Sequence, residues 1–351
     1  MADRGAEGRT LELLLVHAEG EIGKVLVAGA PAVPGGSIEA MLVHLNEVDD
    51  SFRRYCTLEP RGMAQASVNL LLPPERAGSA AGFIVMQPDR CHAMSGSNAI
   101  CVTTALLESG RVPMAEPTTR LVLDTAAGPV AVEAACRGGR CERVRLEMPW
   151  SFVVEDGLVF EVQGVGRVEA AIAFGGVFYL LVEAASVGLR IGPAGSRALV
   201  EKGMAILAAA QERWRPVHPE RPGVNGLAYL MFMDGERNAT IMPPGRVDRS
   251  PCGTGSSARL ALLHARGEVG AGAETAFRSI IGSRFEAGIV SEGEVAGRQA
   301  IRPWISGRGY VYGREELFAL PDEPFPTGHA MADTYGPGVA ASAAGRPGVS
   351  G

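Results

Sequence analysis

Apolar and polar positions alternate in short runs for most of the chain. Residues 11–16, 24–28, 67–72 and 82–86 are apolar stretches bounded by turn residues, which is how strands read. The pattern returns at 120–124, 130–136 and 143–148, with Gly128-Pro129 and Gly138-Gly139 as turns. In the second half it marks 159–162, 166–173, 177–182, 228–233, 239–242, 285–290, 299–303 and 309–312. Helical spacing is rarer. Ile38, Met41, Leu42 and Leu45 share one face over 37–49, with Ser37 placed to cap it. Further helices are expected at 99–109, closed by Gly110, at 197–213, and at 256–266, closed by Gly267. Many short strands around few helices predict an α/β (α+β) fold.

Two of these helices have no polar face. Ile100, Cys101, Val102, Ala105, Leu106 and Leu107 surround one, and Leu260, Ala261, Leu262 and Leu263 the other, so both are expected to be buried. They also align with each other. Ser95-Gly96-Ser97 matches Cys252-Gly253-Thr254 at an offset of 157 residues, and Gly110 then falls on Gly267. A weaker echo pairs Ala18-Glu19-Gly20 with Phe174-Gly175-Gly176. Two pseudo-symmetric domains follow, each a sheet wrapped around a central helix. The first is expected over 1–150 plus about 320–335, and the second over 151–319. Residues 336–351, mostly Gly, Ala, Ser and Pro, are expected to be a disordered tail.

Composition narrows the function classes. The chain has 351 residues, enough for about two domains at ~150 residues each. Its net charge of −6 offers no basic surface for nucleic acid or an anionic membrane. Met1-Ala2-Asp3-Arg4-Gly5 opens no signal peptide, and no apolar run reaches the ~20 residues of a membrane helix, so a cytoplasmic protein is expected. The six cysteines have neither Cys-x-x-Cys nor zinc-site spacing, and no metal is expected. Cys136 and Cys141 flank a hairpin turn and read as strand residues.

The candidate chemistry lies at the two small-residue turns. In Asp248-Arg249-Ser250-Pro251-Cys252-Gly253-Thr254-Gly255 a thiol precedes a helix start, where free N–H groups and the dipole favour a thiolate and bind anions. A buried structural cysteine is the plain alternative. If both helix N-termini face one cleft, their N–H groups make a carboxylate site flanked by Ser95 and Cys252. Gly253-x-Gly255-x-x-Ala258 also fits a loose dinucleotide fingerprint, but Arg249-Ser250-Pro251 stands where a strand should lead in. A dehydrogenase and a non-catalytic binding module are therefore remote alternatives. Cys91 and Cys101 are out of register with Cys252 and read as structural. Asp49-Asp50 reads as a solvated helix end, His218 as an exposed loop residue or a lid over the site, and His264 as a satisfied core or interdomain residue.

Asp248 to Gly255 resembles the second signature of the proline racemase family, and Met94-Ser95-Gly96-Ser97-Asn98-Ala99-Ile100 resembles the first. Glu59-Pro60-Arg61-Gly62 and Ala173-Phe174-Gly175-Gly176 are similar to shorter family stretches. The resemblance runs from about residue 10 to 335 and implies the diaminopimelate epimerase fold. It also implies cofactor-independent acid–base chemistry at Cα of a hydroxyproline, with Ser95 and Cys252 as the catalytic pair. The substrate carboxylate would lie on the N–H groups of Gly96, Ser97, Gly253 and Thr254, and the ring nitrogen on Asp248. Family racemases carry cysteine at both catalytic positions; here the first is Ser95, and Ser97 stands where many members have histidine. One strong base facing a serine favours dehydration of trans-3-hydroxy-L-proline to Δ1-pyrroline-2-carboxylate, with 4-hydroxyproline 2-epimerisation as the alternative. The sequence leaves oligomeric state open, a homodimer being one option.

Overall fold

In a computed structural model, residues 10–318, 320 and 322–344 are described. The chain opens with β1 (Thr10–Ala18), β2 (Glu21–Ala28), α1 (Ile38–Val43) and α2 (Ser51–Thr57). Next come β3 (Ala66–Leu72), β4 (Ala81–Met86), β5 (Cys91–His92) and α3 (Gly96–Glu108). A meander of β6 (Thr118–Thr125), β7 (Gly128–Arg137) and β8 (Arg140–Glu147) ends the first half. The second half begins with β9 (Ser151–Val162), β10 (Gly166–Phe174), β11 (Phe178–Glu183) and α4 (Ser196–Arg213). It continues through β12 (Val217–His218), β13 (Arg221–Asn225), β14 (Leu227–Asp234), β15 (Arg237–Met242) and β16 (Arg246–Val247) to α5 (Gly253–Ala265). The remaining elements are β17 (Glu274–Arg278), β18 (Arg284–Val295), β19 (Arg298–Gly307), β20 (Gly309–Phe318) and α6 (Ala332–Ala344).

The halves repeat each other in topology. β2 pairs in parallel with β3, as β11 does with β14. β4 pairs in parallel with β6, as β15 does with β17. Helices α3 and α5 are both 13 residues long and begin 157 positions apart, the offset read from the sequence. Each ends before a glycine with positive φ, Gly110 at 72° and Gly267 at 74°, the left-handed cap that glycine adopts without a Cβ clash. Burial of α3 is nearly complete: residues from Gly96 through Leu107 are inside, against β1, β2, β8 and β20. Helix α5 packs in the same way against β9, β10 and β19. Each fully buried Leu or Ile adds about 1.5–3 kcal/mol, and apolar residues all round these helices leave no orientation in which one could lie at the surface. The fold is thus two pseudo-symmetric units, each a sheet wrapped around one helix, of the diaminopimelate epimerase-like type.

Three sequence expectations need correction. β20 pairs along its whole length with β1, so the chain returns to the first unit at Gly309 rather than about 320. By the 157-residue offset β10 is the counterpart of β1 and β9 that of β20, and β9 pairs with β10 as β20 does with β1. β8 and β19 also pair, through Trp304 with Glu147 to Gly307 with Val144, so one continuous sheet joins the two units. Residues 336–344 are helical rather than disordered, with a kink at Gly336, while 345–351 lie outside the described residues. Tyr335 is fully buried and packs with Leu58 and Ala64, Val339 and Ala343 lie against the same cluster, and Arg54 donates to Ala343 O, which together hold a segment whose composition has few core formers. Helix 37–49 is also shorter than expected: α1 ends at Val43 and a π-helical turn, His44–Val48, follows. No helix among the described residues is long and apolar enough to cross a membrane.

Candidate active site

The N-termini of α3 and α5 meet head to head. A methyl group on Gly96 would stand 2.7 Å from the Cα of Gly253, and one on Gly253 would stand 2.7 Å from the Cα of Gly96. Both would also strike the Ile305 side chain. Only glycine permits this approach, which brings two sets of first-turn N–H groups to one place. Those groups lack intrahelical acceptors and sit at the positive ends of both dipoles, a strong anion site. The Gly175-Gly176 turn packs on the first turn of α5: a methyl on Gly176, at φ 118°, would stand 2.8 Å from Thr254 Cγ2 and 3.4 Å from Met94 Cβ. The structure therefore brings Ser95, Gly96, Ser97, Cys252, Gly253 and Thr254 to one junction, with Asp248 just upstream of it.

The two capping side chains differ in ways their aligned positions conceal. Ser95 has ordinary extended backbone, φ −149°, and its hydroxyl oxygen accepts from the N–H of Asn98. It also accepts from Asn98 Nδ2 at 2.9 Å, and lies 3.3 Å from Ser97 Oγ. The Asn98 amide is oriented because its Oδ1 accepts from Asn69 Nδ2 at 2.8 Å. Two donors thus point at Ser95 Oγ, so its own proton can turn to Ser97 Oγ or to the cleft. Cys252 instead has φ 65°, a left-handed conformation rarely held by a non-glycine residue and found where surrounding structure enforces it. Its N–H donates to Ser250 Oγ at 3.1 Å and its carbonyl accepts from Ser256 N at 2.8 Å. No side-chain cap forms, and the sulfur lies 3.1 Å from Tyr179 Oη, which in turn lies 2.7 Å from Thr254 Oγ1.

Cys252 is 5% exposed, so the cleft is closed and substrate entry requires it to open. Burial pushes the thiol up to about 12, the charge of Asp248 adding to the effect and hydrogen bonds from Thr240 and Tyr179 opposing it. This differs from the expectation of a thiolate: in the closed cleft desolvation is the dominant influence on the sulfur. Asp248 is also buried, and burial followed by the charge of Glu21 raises its carboxyl to about 8, against the opposing Arg246 and Ser250. The folded state therefore holds a proton that an unfolded aspartate, with a pKa of about 3.9, has released. The stabilisation is full below about pH 4 and is lost as pH rises through about 8. Melting temperature is accordingly expected to fall more steeply from pH 5 to 8 in the wild type than in Asp248→Asn; parallel profiles by calorimetry would refute it.

The remaining expectations divide. Cys91 and Cys101 are buried, and burial raises both thiols, as structural cysteines require. Cys136 and Cys141 are unbonded cross-strand partners. His264 is satisfied, with Nδ1 3.0 Å from Val269 O and Nε2 3.1 Å from Gln299 Nε2. His218 is a correction: it is buried, edge-on to Phe152 and Phe174, and burial lowers it to about 4. Asp50 is paired with Arg53 instead of standing free at a solvated helix end. Sequence reading missed Tyr179, Asn69 and the role of Asn98. Tyr179 is one apolar-run residue among several in 177–182, and nothing local marks its hydroxyl.

These features define a class: a two-unit protein in which a small anion-binding junction is flanked by a proton-carrying side chain from each unit. The chain belongs to the proline racemase family, whose pattern it matches over residues 13–330. It is 48% identical over 336 residues to a 4-hydroxyproline 2-epimerase of Agrobacterium fabrum, covering 94% of this chain and 97% of that protein. A 4-hydroxyproline 2-epimerase of Rhizobium etli is 49% identical with the same coverage. The crystal structure of a hydroxyproline epimerase from Agrobacterium vitis, with bound trans-4-OH-L-proline, superposes with a TM-score of 0.91 at 47% identity. That match covers 95% of this chain and 98% of the other.

Proposed function

We propose that this enzyme epimerises 4-hydroxyproline at C2, without a cofactor. The observation that carries the reading is the head-to-head junction of α3 and α5 with Ser95 and Cys252 at its two caps. The names of its relatives support the same substrate. The carboxylate would sit on the N–H groups of Gly96, Ser97, Gly253 and Thr254, and the ring nitrogen against Asp248. Cys252 ionises while the cleft is open to water and then takes the Cα proton. The junction's N–H groups stabilise the enolate-like charge on the carboxylate. Ser95 delivers its proton to the opposite face, and the alkoxide left behind keeps both donors from Asn98. Solvent resets the pair by returning a proton from the thiol to the alkoxide.

One observation favours a second reading. A serine hydroxyl is a far poorer partner for Cys252 than a second thiol, so the carbanion from a 3-hydroxylated ring could expel its hydroxide instead. That reaction is dehydration of trans-3-hydroxy-L-proline to Δ1-pyrroline-2-carboxylate. NMR of the enzyme with each substrate in D2O separates the two readings. Conversion of trans-4-hydroxy-L-proline to cis-4-hydroxy-D-proline with α-deuteration is expected. Imine from the 3-hydroxy substrate with no C2 epimerisation would put the second reading first. Ser95→Cys is expected to raise the epimerisation rate by about tenfold or more, since a positioned acid or base contributes about 10²–10⁴. An unchanged or lower rate would remove Ser95 from the role of second acid.

A further inference from the structure

Glu21 begins β2 in the first unit, yet its partners are in the second. Its Oε1 accepts from Arg246 Nη1 and its Oε2 accepts from the N–H of Arg249 at 2.9 Å. The carboxylate therefore grips the chain on both sides of Asp248. Within the second unit Asp248 is held by its own N–H to Thr240 O at 2.9 Å, and its Oδ1 accepts from Ser250 N and Oγ at 2.8 and 2.9 Å. Glu21, Arg246 and Asp248 are 3%, 5% and 3% exposed. In the preceding turn Ile281 of the second unit leaves no room for a side chain: at Gly20, φ 98°, a methyl would stand 2.8 Å from Ile281 Cδ1. Residues 246, 247 and 249 also wall a surface cavity of about 460 Å³ that Gln65 of the first unit and Ile281 of the second complete.

We propose that Glu21 is a positioning residue that latches the first unit onto the Asp248 segment, so that cleft closure and placement of Asp248 are one event. The latch is poised rather than locked. Arg246 Nε and Nη2 are buried without partners, and a half-satisfied buried guanidinium makes the closed state expensive. Glu21, Asp248 and Arg246, when all are ionised, sum to one negative charge. A zwitterionic amino acid that sets its protonated ring nitrogen against an ionised Asp248 balances that charge, so closure is favoured with such a substrate inside. Tyr229 and Cys252 are the other titratable groups that feel Asp248. This inference rests on the proposed reading only for the role of the ring nitrogen.

Alkylation of Cys252 by iodoacetamide in the substrate-free enzyme tests the latch, followed by peptide mass spectrometry with the other five cysteines as internal standards. Glu21→Gln is expected to label Cys252 at least about fivefold faster than wild type while the other five keep their rates; an unchanged Cys252 rate would overturn the latch. Should Glu21→Gln unfold, shown by labelling of every cysteine, Glu21→Asp takes its place. That side chain is one methylene too short to span Arg246 and the Arg249 amide, and the same two outcomes decide. In turnover, KM for 4-hydroxyproline is expected to rise about tenfold with kcat changed much less, the pattern of lost ground-state binding. Loss confined to kcat would contradict positioning of Asp248. Labelling needs no substrate, so absence of epimerisation by the wild type would refute the functional reading and leave the latch intact.

Discussion

Cys252→Ala is expected to abolish proton exchange at C2, lowering kcat by at least about 10³ with substrate binding little changed. Its sulfur is the one strong base at the junction, and removal of a positioned general base loses about 10²–10⁴. Tyr179 does not substitute for it. Tyr179 Oη lies 3.1 Å from the sulfur, but burial holds that phenol well above its ordinary value, so it stays protonated and serves as donor. The carboxylate cradle of Gly96, Ser97, Gly253 and Thr254 does not involve the thiol, which is why binding should survive. The measurements are loss of the α-proton signal in D2O and calorimetric titration with 4-hydroxyproline. Exchange persisting within tenfold of wild type would move the base elsewhere. The closed-state thiol, pushed up to about 12, also predicts that turnover depends on the open state to generate the thiolate.

The second large effect concerns Gly253. Gly253→Ala is expected to remove activity and to lower stability by about 1–3 kcal/mol, the usual penalty for forcing atoms into a packed interior. The new methyl would stand 2.7 Å from the Cα of Gly96 and would strike Ile305, and backbone cannot yield as a flexible side chain can. The helix N-termini would have to separate, and the four N–H groups would no longer converge. Gly96→Ala should behave the same way, because the contact is reciprocal. Gly267→Ala is the control: it occupies a left-handed cap with open space around it, so any loss there comes from backbone strain and leaves activity in place. Activity retained in Gly253→Ala would mean that the junction does not hold the substrate carboxylate.

Much of the architecture could be read from residue patterns. Strands and buried helices follow from local periodicity, which a linear chain displays in full. The 157-residue repeat was legible because both copies keep a small turn, an apolar helix and a capping glycine in register. Ser95 and Cys252 stood out because chemistry at a helix start leaves a local mark. The return of β20 to the first unit left none, since any apolar strand pairs with whichever edge the fold presents. The ordering of 336–344 was equally hidden, as it depends on Tyr335, Val339 and Ala343 meeting distant Leu58 and Ala64 and on Arg54 donating to Ala343 O.

The deepest division runs through the site itself. By its sequence the chain determines which groups are present: one thiol, one hydroxyl, two glycine-led helix starts and an aspartate four residues before the thiol. Only the tertiary structure decides their chemical state. It places Tyr179 on the sulfur and Thr254 on the Tyr179 hydroxyl, sets Cys252 at φ 65°, orients Asn98 through Asn69, and closes Glu21 across the boundary onto both flanks of Asp248. The thiol predicted as a thiolate is instead held protonated in the closed cleft. The physical reason is that ionisation depends on solvation and on charges brought together from distant parts of the chain, and neither is a property of neighbouring residues.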